Sequence, residues 1–296
     1  MKYASQEDYE ICRKLHRQYS ATYYFASRRF SPIKQKRLDA IYAFGRVADE
    51  IVDDLSEYSI ESKNNALQEY RSQLLSALEG KLPAHPVMRG FVDTLNEVQI
   101  PLEEPLLFLD SMEMDLHKNR YESYEELQVY MRGSASSLGV MACYALDAPM
   151  NKITFDASIA LGEALQLTNF LRDIKDDAKR GRIYLPQQDL ETFDVSESDI
   201  LEKRLTSHFK KLMKFQIQRA RKVYADSDLG VPCLPKEIQL GVLLTRTLYS
   251  KILDEIERKD YDVFTERIYV STFKKLYIAF KTILRSKKLQ LENICI

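Results

Sequence analysis

Two stretches of the chain carry acidic side chains on helices that are otherwise apolar. In DAIYAFGRVADEIVDD, residues 39–54, Tyr42, Arg46, Asp49 and Asp53 follow one another at intervals of 4, 3 and 4, which places all four on one helical face. Ile41, Ala43, Phe44, Val47, Ala48, Ile51 and Val52 occupy most of the remaining circumference, and a helix apolar nearly all round belongs inside a protein. Glu50 and Asp54 lie off the line and are expected to be solvated. In ALGEALQLTNFLRDIKDDAKRG, residues 160–181, Glu163, Gln166, Asn169, Asp173 and Asp177 repeat the arrangement at intervals of 3, 3, 4 and 4. A single D-x-x-x-D occurs by chance on many surface helices. Two of them, each on an apolar segment, require an internal cavity or a partner that neutralises the charge.

Carboxylate pairs facing each other inside a helical bundle suit a divalent cation. Di-iron sites of that architecture use Glu together with Glu-x-x-His, and the chain has no such motif. Mg²⁺ keeps several waters and takes one or two carboxylates plus phosphate oxygens of a substrate. Two aspartates one turn apart on each of two helices therefore fit Mg²⁺ ions, with Mn²⁺ as the alternative, bridging a diphosphate and stabilising it as a leaving group. Cationic neighbours suit the same anion: Arg46 beside the first pair, and Arg172, Lys175, Lys179, Arg180 and Arg182 around the second.

The elements that must position these side chains read as helices throughout. The helical period runs over residues 6–18, with Ser5 as N-cap, and from Ser31-Pro32 to about Ser56, with serine capping and proline opening the helix. It continues over 61–79, 86–98, 102–118, 123–147, 154–179, 196–226, 236–259 and 271–292. Nothing shows the alternation of a strand, so the expected fold is all-α, one domain of about ten helices over residues 1–296. Nine Gly and nine Pro in 296 residues are too few for a sandwich or barrel that turns every ~8–12 residues. No G-x-G-x-x-G or G-x-x-x-x-G-K-[ST] is present, which removes glycine-loop phosphate binding. With 43 Lys+Arg against 44 Asp+Glu the net charge is −1, so nucleic acid is not an expected partner, and any anion must be bound locally. Cys12, Cys143, Cys233 and Cys295, and His16, His85, His117 and His208, are scattered; reduced thiols and no zinc site follow. No run approaches ~18 apolar residues, and the polar, acidic N-terminus MKYASQEDYE is unlike a signal peptide. A cytoplasmic protein is expected.

AIYAFGRVADEIVDD and LQLTNFLRDIKDDAKRGRIYLPQQDL resemble the two aspartate-rich regions of the squalene/phytoene synthase family. The resemblance extends from about Ser20 to Lys274 and includes SATYYFASRRFSP, YESYEELQVYMRGSASSLG and YSKILDEIERKDYDVFTERIYVSTFKK. It implies an isoprenoid-synthase-type helical bundle around a central apolar cavity, and head-to-head joining of two prenyl diphosphates. Asp49, Asp53, Asp173 and Asp177 would carry Mg²⁺, assisted by Asn169. Gln166 would line the reaction pocket, and Arg46 and Arg172, with Tyr249, Arg267 and Lys274, would contact the diphosphate or close the site. Tyr42 and Tyr130 match tyrosines facing the reaction centre. Ser20 matches an early active-site serine, but Ala21 stands where some members carry a basic residue, with Arg28 as a candidate substitute.

The implied chemistry begins with loss of diphosphate to leave an allylic cation. The acceptor's double bond attacks it and a proton leaves, giving a cyclopropylcarbinyl diphosphate; a second ionisation rearranges the ring to a linear product. The cations need an apolar, water-excluding wall with aromatic faces. D-E-I-V-D and R-G-R-I-Y-L-P-Q look most like the phytoene synthases of the family, implying two twenty-carbon geranylgeranyl diphosphates and no NADPH. Small Ser27, where fifteen-carbon enzymes can carry a bulky aromatic, would deepen the tunnel. The alternative is coupling of fifteen-carbon farnesyl diphosphate, to dehydrosqualene or presqualene diphosphate without reductant, or to squalene with NADPH. A terpene cyclase and a catalytically dead assembly factor are further alternatives. The water-insoluble product implies transient peripheral membrane contact.

Overall fold

The computed structural model describes residues 2–53 and 59–292, with side chains through Leu284. The predicted continuation of the second helix to about Ser56, Asp54 and Cys295 lie outside the described residues. Fourteen α-helices, more than the about ten expected, and no strand occur among the described residues; the all-α class is as the periodicity predicts. No described helix is long and apolar enough to cross a membrane.

The first core is built by α1 (Gln6–Tyr19), α3 (Pro32–Asp53), α4 (Ile60–Leu78), α5 (Pro86–Val98) and α6 (Glu103–His117) with residues of the segment 141–148; α2 (Ala21–Ser27) contributes Ala26 to a separate small cluster. Ser5 caps α1 in a reciprocal box with Asp8, satisfying two otherwise orphan amides. Phe44 of α3 stacks on Phe91 of α5 with ring centroids 3.8 Å apart, and both are fully buried. Burying side chains of this size contributes about 2–3 kcal/mol each.

The second core is built around α9 (Lys152–Lys179), which packs along α12 (Ser207–Asp228) and α13 (Lys236–Arg258). Before it come α7 (Tyr124–Met131) and α8 (Ser137–Ala145); after it come the short α10 (Gln187–Thr192) and α11 (Glu197–Leu201). The last helix, α14 (Thr272–Glu292), lies against α13.

Four features depart from the predicted helices, the six-residue α10, which falls in none of them, being one. The 123–147 helix is interrupted by a π-helical turn, Arg132–Ser136. There Gly133 presses so closely on α6 that a Cβ would lie 2.3 Å from the Leu107 carbonyl. The 196–226 helix breaks between α11 and α12, where Lys203 adopts φ +60° and Thr206 caps the new helix by accepting from the Phe209 amide. And α2, seven residues long, is too short for periodicity to reveal.

Behind α3, His16 of α1 is fully buried, with Nδ1 2.6 Å from Asp39 Oδ1 and its ring stacked 4.5 Å from that of Tyr42. His16 Nε2 has no partner. Removing the other partner too leaves a buried ring with neither nitrogen bonded. Asp39→Ala is therefore expected to cost about 3 kcal/mol, read as a lower urea midpoint at unchanged m-value. A loss below about 1 kcal/mol would mean that the pair behaves as a solvated one.

Candidate active site

Both polar stripes open onto one cavity of about 670 Å³, lined by Tyr42, Arg46, Asp49 and Asp53 from α3 and by Gln166, Asn169, Arg172, Asp173 and Asp177 from α9. Ser20, Tyr130, Tyr249 and Arg267 also line it. Arg180 lies between the stripes, 3.7 Å from Asp53 and 3.8 Å from Asp177, so the two helices face each other across it. Glu163 leaves its stripe: it accepts from the Tyr124 hydroxyl and from Gln128 Nε2 of α7 and does not line the cavity.

The GRIYLP segment folds back on this cavity for a local reason. Gly181 takes φ +78°, the left-handed conformation that ends helices, and the Arg182 amide donates to the Asp177 carbonyl at 3.0 Å. The reversed chain brings Arg182 Nη1 to 2.5 Å from Asp53 Oδ1. It also stacks Tyr184 on Phe170 at 4.1 Å and lets the Tyr184 hydroxyl donate to Asp115 at 3.0 Å.

Charge is unevenly compensated. Although burial opposes it, the guanidinium groups of Arg172 and Arg267 hold the Asp173 carboxyl below its usual range. Partial desolvation, with Asp53 alongside, pushes the half-exposed Asp49 up to about 7 despite Arg46 at 2.6 Å. Burial, then Asp173, raises Asp177 well above the ordinary carboxylate value. Asn169 Oδ1 is buried with no partner. Two carboxylates short of positive charge and one orphan carbonyl oxygen form a hard-oxygen donor set that fits Mg²⁺. Among the described residues no three His, Cys, Asp or Glu side chains already converge as a metal cage. Such a spread suits ions that complete their shells with water and substrate oxygens.

A second cavity, about 230 Å³ and mainly apolar, adjoins the first. The two share Ser20, Tyr42, Ser134, Leu138, Gln166, Asn169 and Tyr249. Small residues of the π turn, α8 and α9, including Ala135, Gly139, Ala142, Ala157 and Gly162, hollow it out. Charge thus meets an apolar chamber at one ring of side chains.

Three expected residues are not brought to these cavities. Lys274 points to α13, where Nζ lies 2.5 Å from Glu255, and its neighbour Lys275 lines the polar cavity instead. One residue is about 100° of helical turn, enough to exchange the two. Ser27 is buried, with Oγ donating to the Tyr24 carbonyl of its own helix, and lines neither cavity. Arg28, the candidate substitute for the early basic residue, is exposed and lines neither cavity. Of the basic neighbours, Lys175 and Lys179 bond to Thr265 and Asp176, whereas Arg180 and Arg182 face the cavity.

Two lining residues carried no sequence signal. Asp115, at the end of α6, accepts from the Tyr130 hydroxyl at 2.5 Å, and burial pushes it up to about 6. Nothing separates it in the sequence from the nearby Asp110 and Glu113. Ser134, inside the π turn, reaches the shared ring with its buried Oγ unpartnered.

Known proteins resemble this chain over most of its length. The family model described as squalene/phytoene synthase matches residues 16–274. A phytoene synthase of Arthrospira platensis is 38% identical over 284 residues, covering 91% of this chain and 90% of that one. Phytoene synthase 2 (chloroplastic) of Solanum lycopersicum is 36% identical, covering 91% and 88%. Among solved structures, a dehydrosqualene synthase crystallised with a ligand superposes with a TM-score of 0.87 at 26% identity, covering 96% of this chain and 98% of that one.

Proposed function

The chain belongs to the squalene/phytoene synthase family, whose members are prenyltransferases, and from that premise we propose that it condenses two geranylgeranyl diphosphates head to head into phytoene. The observation that carries the proposal is the ring where the acid- and arginine-lined cavity meets the apolar one. A prenyl diphosphate has the same polarity: a dianionic or trianionic head joined to a hydrocarbon tail at the carbon that reacts.

Asp49, Asp53, Asp173, Asp177 and Asn169 would hold Mg²⁺, which when bound supplies Lewis-acid stabilisation of the departing diphosphate. Arg46, Arg172, Arg180, Arg182 and Arg267 pair with Asp49, Asp53 and Asp173 and leave the charge of the set only partly compensated. With Mg²⁺ held by the carboxylates, these guanidinium groups would be available to grip diphosphate oxygens in bidentate fashion. Tyr42 and Tyr249 offer ring faces to the allylic cation at the shared ring, and burial keeps the Tyr42 phenol protonated. The apolar chamber behind them excludes water that would quench the cation. No side-chain base is required, because the released diphosphate accepts the proton lost on forming the cyclopropane.

Coupling of fifteen-carbon chains is the second reading, favoured by the likeness to the dehydrosqualene synthase structure. One assay separates the two: purified protein with Mg²⁺ and either geranylgeranyl or farnesyl diphosphate, with and without NADPH. The expected result is a forty-carbon hydrocarbon from the longer substrate, indifferent to NADPH. A thirty-carbon product formed faster selects the second reading, and failure to consume either substrate removes both.

A further inference from the structure

The last helix has two apolar faces, and packing uses only one of them. Ala279 is buried with Ala26, Leu244 and Leu248, with Ile278 packed alongside, which fixes α14 on α2 and α13. On the opposite side Phe273, Leu276, Tyr277, Phe280 and Leu284 follow at helical spacing and are between 51% and 86% exposed. Five large side chains in one arc of ~100° form a continuous stripe, unlike the isolated exposed apolar residues that any surface carries. The helix is also basic in sequence: besides Lys274, which pairs with Glu255, and Lys275, which lines the polar cavity, it carries Lys281, Arg285, Lys287 and Lys288 against Glu292 alone, in a chain of net charge −1. Lys281 lies over the Tyr277 ring at 4.8 Å, so positive charge edges the stripe.

We propose that this face of α14 docks the protein on an anionic lipid surface, the stripe entering the acyl boundary and the lysines meeting the headgroups. The proposal rests on the prenyl diphosphate reading for its purpose. Tyr269, Val270 and Lys275, just before and at the start of α14, line the polar cavity, so docking would set the cavity's rim at the surface where long-chain prenyl diphosphates reside. Charge argues against a second copy as the occupant. A two-fold contact through this face would oppose two like-charged helices, whereas anionic headgroups neutralise them.

The test is co-sedimentation with vesicles of phosphatidylcholine alone or containing about a third phosphatidylglycerol. The wild-type protein is expected to pellet with the anionic vesicles, to be released by high salt, and to ignore phosphatidylcholine. The double variant Phe273→Ser, Phe280→Ser should lose roughly a hundred-fold or more in vesicle affinity while turning over substrate dispersed in detergent at the wild-type rate. Lys281→Gln, which leaves the stripe intact, should weaken binding about five-fold. Wild-type protein that ignores anionic vesicles overturns the proposal, as does a double variant that still binds them. Concentration-dependent dimers abolished by the double variant, without vesicle binding, would identify the face as a self-association surface instead. Detergent turnover reports the catalytic reading separately, so either can fail alone.

Discussion

Asp177→Asn is expected to lower turnover at least about a thousand-fold, the effect of losing roughly 4 kcal/mol of leaving-group stabilisation, and to raise the melting temperature of the metal-free protein. The two effects share one cause. Asp177 is largely buried beside Asp173 and Asp53, with 17% of its side chain exposed, and Arg180 stays 3.8 Å away. Its carboxyl is raised, so the folded state retains a proton that the unfolded chain has already released. Stability contributed by such a group falls as pH rises from the ordinary carboxylate value, about 4, through the raised one. The wild-type protein without divalent metal should therefore lose stability from about pH 4 toward neutrality and above, Mg²⁺ should restore it, and Asp177→Asn should flatten the decline. Asp173→Asn makes the control. Arg172 and Arg267 bond that carboxylate and hold it low, so its stabilisation is present above about pH 4 and lost as pH falls through the depressed value. This second variant should also lose turnover but melt earlier than wild type. Activity of Asp177→Asn within ten-fold of wild type, or equal melting losses in both variants, would contradict the assignment of these aspartates to metal.

The stripes were legible because a 3.6-residue period over long helices leaves little freedom in which side chains share a face. Polar residues confined to one arc of an apolar cylinder can only point into a cavity or at each other. That logic weakens wherever helical phase is set by something outside the helix. Lys274 and Lys275 differ by one position near the start of α14, and only the docking of α14 on α13 decides which of them faces the cavity. Ser27 sits on a helix of seven residues, less than two full turns and too short to define a phase. The π turn hides a third kind of information. Tyr130, Ser134 and Leu138 all line the polar cavity at a spacing of four, and on a straight α-helix each such step would drift by about 40°. The wider winding of Arg132–Ser136 cancels the drift. Nothing in RGSAS announces it, because its cause is the close approach of Gly133 to Leu107 and Ser111 on α6.

Tunnel depth gives the second large effect: Ala142→Phe should convert the preference from twenty-carbon to fifteen-carbon substrate, cutting use of the longer chain at least about a hundred-fold. The apolar cavity follows α9 from Gln166 at the shared ring down to Thr154, twelve residues or about 18 Å of helix. Covalent geometry that spans ~3.5 Å in three backbone bonds gives about 4.5 Å for the four bonds of an isoprene unit. Four units then need about 18 Å and three about 13.5 Å, so the observed depth suits the longer tail. On α8, Gly139 lies against Ser158 and Gly162 of α9, roughly 9 Å below Gln166, and Ala142 is three residues, ~4.5 Å, deeper. A phenyl ring there closes the cavity near the end of a third isoprene unit and leaves no room for a fourth. Ala142 is only partly buried and lines this cavity, so the ring has space to enter without forcing the core apart. Retained turnover of farnesyl diphosphate and an unchanged melting temperature would show that the fold survives. If the variant still prefers geranylgeranyl diphosphate, the tail does not run along α8 and α9, and the fit between cavity depth and twenty carbons loses its meaning.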